Sequence, residues 1–211
     1  MPLTGWTATV SASPMPRIDA MTNISTPAAR RRDLILRIIG WSTIAALLLA
    51  PAIAMQMGAE GVLWTAGDVV FAGVILGGAG IVCELIAWRS GDMFYRSGAV
   101  LGLFACVALV WVNGAVGIIG SEDEAANLLY LGVIGIALIG AVMARFEARG
   151  MVVAMIAAAL AQVAVAVTAL IAGWGSTSEI YPRDIVGATG IFALIWLLSA
   201  ALFRQAGRVK I

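Results

Sequence analysis

The sequence predicts an all-α integral membrane bundle of six transmembrane helices, with the N and C termini cytoplasmic. Three observations lead there. Of 211 residues, 62% are hydrophobic and only 12% charged, against roughly 25% charged in soluble domains, and mean hydropathy is +1.00. Six apolar segments follow one another, each near the roughly 20 residues needed to cross a bilayer. The basic residues fall in alternate connections, so six crossings put nearly all of them on one side.

Residues 1–33 are rich in Ser, Thr, Pro and Ala and read as a disordered cytoplasmic tail with a basic juxtamembrane segment, Arg30-Arg31-Arg32. Met1, Met15 and Met21 are all candidate starts. No secretory signal is visible, because the basic cluster comes late and the apolar run after it is long enough to span. Thr26-Pro27 has the form of an N-cap followed by proline at the first helical position, so a basic turn can lead straight into the first span. Residues 34–205 form the transmembrane domain, and 206–211 a basic cytoplasmic tail.

The spans are expected at about Ile38–Met57, Val62–Trp88, Gly98–Ile119, Asn127–Ala144, Met151–Gly173 and Ile185–Phe203. Short connections make neighbouring spans antiparallel, and Pro51 removes one backbone hydrogen bond from the first. Arg37, Arg89, Arg96, Arg145, Arg149, Arg204, Arg208 and Lys210 then share a side with the N-terminal arginines, which the positive-inside rule makes cytoplasmic. Opposite lie Glu60, Glu122, Asp123, Glu124, Glu179 and Asp184, with Arg183 the single base. Trp64, Trp111, Trp174, Tyr130 and Tyr181 fall at the outer boundary and Trp41 and Trp88 at the inner one, as aromatic belts. Gly73 with Gly77, and Gly98 with Gly102, form small-xxx-small pairs, and alanines line the fifth span. Such residues allow close helix approach, within one chain or between protomers.

Ionisable groups within a bilayer are costly and mark function by default. Asp68 and Glu84 of the second span qualify. A count along the helices places Asp68 about two turns below the outer end, level with Asn113, Thr168 and Thr189. Under the acidic loop of Glu122 and Asp123, these residues would form an outward-facing vestibule that binds a proton or monovalent cation. The structural reading stands beside it: Asp68 accepts hydrogen bonds from Thr65 and Asn113 and fixes how two spans meet. Glu84 lies near the cytoplasmic end, where it can snorkel or pair with arginine. Gln162, midway along the fifth span, needs a partner on another helix. Ser121 and Glu124 fit the S-x-x-E capping box, and Ser176 and Glu179 repeat its spacing in a cap or turn.

Histidine is absent, which removes any Ser-His or Cys-His dyad and HExxH zinc site. Cys83 and Cys106 sit in apolar runs without CxxC spacing and read as core residues. A phosphate-cradling GxxxxGK[ST] is missing, and the basic flanks lack aromatic interleaving for nucleic acid. These absences argue against an enzyme and imply no cofactor.

The run WVNGAVGIIGSEDEAANLLYLGV, with Trp64 and Asp68 upstream and Ala144-Arg145-Phe146 downstream, resembles a group of small, uncharacterised bacterial multi-span membrane proteins. The similarity extends from about Gly61 to Ala172, and members often read Asn-Pro where this chain has Glu124-Ala125. The resemblance implies a bacterial inner-membrane setting and brings no activity with it. Two functions follow from the residues: small cation- or proton-linked transport centred on Asp68 and Asn113, or a non-transporting accessory or assembly protein. The second would bind the helices of a partner membrane protein or of a second copy through its glycine faces.

Overall fold

In the computed structural model, residues 27–58 and 64–208 are described. They form six long helices: α1 Pro27–Gln56, α2 Ala66–Arg89, α3 Met93–Ala115, α4 Leu129–Met143, α5 Ala148–Ala172 and α6 Arg183–Arg208. A short 3-10 turn, Ala125–Leu128, leads into α4, and no strand occurs among the described residues. All six helices are long and apolar enough to cross a membrane. The expected tail over 1–26 and the segment 209–211 lie outside the described residues; 27–33 are already helical, with Pro27 as the first residue of α1.

The chain divides into two units, Met1–Gly40 and Trp41–Ile211. Among the described residues, the first is the opening of α1, a continuous helix that runs on through Pro51. Within the second, α3, α4, α5 and α6 make the core. Its buried residues include Ala105 and Leu109 of α3, Val133 and Ala137 of α4, Ala154, Ala158 and Ala166 of α5, and Trp196 and Phe203 of α6. Lipid offers helices no hydrophobic drive to associate, so backbone proximity and hydrogen bonds must hold them. The small residues supply it. A methyl added at Gly98 would sit 3.3 Å from Leu202 and Phe203, and one at Gly102 3.0 Å from the Met155 sulfur. One at Gly140 would sit 2.8 Å from the Ala154 methyl. Between the first two contacts, the buried Ser199 hydroxyl donates to the Gly98 carbonyl at 2.7 Å.

The glycine pair on α2 behaves differently. Nothing lies within 4 Å of a methyl added at Gly73, Gly77 or Gly78. From Trp41 onward no residue of α1 is buried, and only 11% of the most apolar stretch of α2 is, against 28–39% for α3 to α6. The two helices meet where Gly80 lies against Trp41 and Ile44 and the Trp41 indole donates to Glu84 at 3.3 Å.

At one end of the second unit, the α2–α3 turn is held by polar groups. Asp92 caps α3 by accepting from Phe94 and Tyr95 amides at 2.8 and 3.3 Å. Arg96 donates to the carbonyls of Ala87 and Ser90, closing the otherwise unpaired end of α2. In the α4–α5 turn, Arg145 and Phe146 adopt φ of 51° and 59°, a left-handed conformation costly for bulky residues. Tyr95 braces it by donating to the Phe146 carbonyl at 2.6 Å.

The other end corrects three sequence expectations. The third span ends at Ala115, not Ile119, because Gly117 turns left-handed at φ 70° and the chain folds back with Ile118 and Ile119 buried. Apolar character there marks a buried loop. Ser121 and Glu124 do not form a capping box. The Glu124 amide donates to the Ser121 carbonyl in a turn, and the helix that follows has no side-chain cap. Tyr130 is 1% exposed, so it belongs to the interior and not to the aromatic belt.

Candidate functional site

Asp68 sits in the first turn of α2. Thr65, at the N-cap, is extended (φ −87°, ψ 167°) and forms a reciprocal capping box with it. One Asp68 oxygen accepts from the Thr65 amide at 2.7 Å and from the Thr65 hydroxyl at 2.8 Å, while the Asp68 amide donates to that hydroxyl at 3.3 Å. This cap starts the helix at Ala66, so Asp68 stands one turn shallower than a count from Val62 implies. Its side chain is exposed and makes no hydrogen bond to Asn113. The Asn113 amide donates to the Leu109 carbonyl of its own helix at 2.7 Å, leaving its buried oxygen without a hydrogen bond. The two residues share an end of the unit, where the Trp64 and Trp111 rings meet at 5.9 Å, tilted by 45°, but they do not form one site.

The other expected members are also dispersed. Glu122 and Asp123 are exposed on the loop before α4, and Thr168 is exposed on α5, its hydroxyl returned to the Ala164 carbonyl at 2.8 Å. Glu84 is half-buried against Trp41. Only Gln162 and Thr189 enter the core, at 0% and 8% exposure.

Two buried aromatics with polar tips, Tyr130 and Trp196, lie in the core as well. Tyr130 of α4, Gln162 of α5, and Thr189 and Trp196 of α6 are all buried. The Tyr130 and Thr189 hydroxyls are neighbours, yet neither completes a hydrogen bond, and the Gln162 amide and Trp196 indole nitrogen are likewise without protein partners. All four side chains are neutral. Tyr130 and Trp196 are amphipathic aromatics, which in a sequence look like interface or core residues.

Asn127 was also hidden. It is 6% exposed, and its oxygen accepts from the Ile118 and Ile119 amides at 3.0 and 2.9 Å. Its nitrogen donates to the Ile119 and Ser121 carbonyls at 3.3 and 2.7 Å. One side chain thereby pairs four backbone groups that a buried loop would otherwise leave unsatisfied. Gly120, at φ 71°, then lies against Gly175, at φ 76°, and a methyl on Gly175 would come 2.7 Å from the Gly120 nitrogen. The loops before α4 and before α6 thus touch backbone to backbone. This is a structural clasp.

Among the described residues, no group of three or more Cys, Asp or Glu could hold a metal ion, and Cys83 and Cys106 are free thiols. No protein-family model matches the chain, and comparison with curated proteins and with solved structures returns no match.

Proposed function

We propose that this protein is a non-transporting accessory or assembly protein of the bacterial inner membrane, whose α2 receives the apolar helix of a membrane partner. The observation that carries this reading is the open glycine face of α2. Gly73, Gly77, Gly80 and Glu84 follow a spacing of four, three and four, which is one face of a helix. α1 covers the Gly80 and Glu84 end through Trp41. The Gly73 and Gly77 end is bare, and bare glycine backbone is what a neighbouring helix can approach closely. The distribution of basic residues supports cytoplasmic termini.

A photo-crosslinking amino acid placed at Gly77 in cells tests this, with the lipid-facing Leu194 as control. A discrete protein adduct at Gly77, absent at Leu194 and lost when Gly73 is changed to leucine, is the expected result. Lipid adducts alone at both positions would sink the proposal.

A second reading, small cation- or proton-linked transport, is favoured by the partnerless polar atoms of Tyr130, Gln162 and Thr189 inside the core. Proteoliposome flux of protons, Na⁺ and K⁺ distinguishes the two readings. Under this reading, flux falls in Gln162→Leu and survives in Asp68→Asn, because Asp68 is committed to a helix cap. No flux from the wild type rejects it.

A further inference from the structure

A cleft of ≈ 300 Å³ opens between the start of α5 and the end of α6, lined by Arg149, Val152, Phe203, Arg204, Gly207 and Arg208. Gly207 forms part of its wall. A methyl there would sit in ordinary contact with the Arg149 stem at 3.6 Å and Ala148 at 4.0 Å, so Gly207 borders the cleft directly and a larger side chain there would enter it. Arg204 and Arg208 are one turn apart on α6 and therefore project from the same face. The floor is apolar and fixed: Phe203 is fully buried and meets Tyr95 edge-on at 5.2 Å. Val152 lies one turn farther into the span than Arg149.

The electrostatics are one-sided. The three guanidinium groups are exposed, and no salt bridge to any of them occurs among the described residues. Arg149 lies in the first turn of α5, whose N-cap, Glu147, makes no side-chain capping bond, so the positive end of that helix adds to the field. Arg208 lies in the last turn of α6 and offsets the negative end there. Arg145 adds a further positive charge in the adjoining turn, and exposed Glu147 is the acid beside it. Arginines spread only to set topology require no shared cavity. Here three share one, over an apolar floor at the end of membrane-length helices.

We infer that this cleft binds a phosphate group, that of an anionic phospholipid headgroup, with the arginines holding the phosphate oxygens and the half-buried Val152 facing the start of the acyl chains. Arginine forks match phosphate geometry and give charge-assisted pairs, and basic pockets between spans at the membrane surface take such headgroups.

The full chain, purified in neutral detergent and offered phosphatidylglycerol or phosphatidylcholine, tests this by native mass spectrometry. The wild type is expected to retain phosphatidylglycerol about tenfold better. Gly207→Leu, which fills the cleft and leaves every charge in place, should abolish the preference, as should the combined Arg149→Gln, Arg204→Gln and Arg208→Gln variant. Arg183→Gln, at the opposite end of α6, should keep it. Stabilisation of the delipidated protein by inorganic phosphate, lost in Gly207→Leu and without lipid preference, would assign the same site to a soluble phosphate. Equal retention of both lipids with no effect of phosphate overturns the inference. So does a folded Gly207→Leu that keeps the full preference.

Discussion

Asn127 alone pairs four backbone groups of one buried loop. A buried loop with left-handed glycines has amides and carbonyls that no helix can pair, and one planar amide meets four of them. Asn127→Ala would strand those groups away from water and should lower stability by about 2–4 kcal/mol, read as a fall in the thermal midpoint in detergent. Asn127→Asp keeps the acceptor for Ile118 and Ile119 but sets a second oxygen against two carbonyls, so it should not rescue the loss. Full stability in the alanine variant would show that the loop is held by Ile118 and Ile119 burial alone. The sequence displays Asn127 as the polar edge of a span, with nothing to reveal the backbone it serves. Asp68 shows the opposite difficulty. A carboxylate beside an apolar run looks like an intramembrane site, whereas Thr65 three residues earlier already spells a cap.

At the scale of elements, apolar length and basic flanks made all six helices legible, because bilayer thickness and the need to pair every backbone group leave few alternatives. Their ends were less legible where tertiary hydrogen bonds terminate a helix inside an apolar run, as at Ala115. Helix faces were least legible, since a span that is apolar all round has no polar stripe to show which side turns inward. The glycines of α4 illustrate it. Gly140 meets Ala154, whereas a methyl at Gly132 or Gly135 meets nothing within 4 Å. The three look alike in sequence, and their substitutions should differ in sign. Gly140→Ala should destabilise by about 1–3 kcal/mol through the clash. Gly135→Ala should be neutral or stabilise by up to about 1 kcal/mol through helix propensity. Thermal unfolding of the two variants in one detergent checks the pair, and equal shifts would mean that α4 and α5 are not packed through Gly140.

The second unit carries its charge unevenly along the helix axes, and this asymmetry links topology to the arginine cleft. In the second unit, the end with the α4–α5 turn and the close of α6 bears Arg145, Arg149, Arg204 and Arg208, while the opposite end bears Glu122, Asp123 and Glu179 beside Arg183. Only cationic residues near the spans oppose translocation, so the first end should be cytoplasmic. The arginine cleft would then face the leaflet whose anionic lipids attract juxtamembrane arginines, and the acidic loop would face away from the cytoplasm. A single thiol resolves this. With Cys83 and Cys106 replaced by alanine, Glu122→Cys should react with a membrane-impermeant maleimide once the outer membrane is opened. Arg208→Cys should react only after the inner membrane is disrupted. The reverse pattern would turn the molecule over and place the cleft in the wrong leaflet for a cytoplasmic lipid pool, while leaving its phosphate chemistry to be judged by its own binding test. Labelling of both positions from the same side would break the six-span topology within α4, α5 and α6, the helices that separate Glu122 from Arg208. α1 and α2 precede both positions, so that outcome would leave their crossings untouched and would overturn the packed core first.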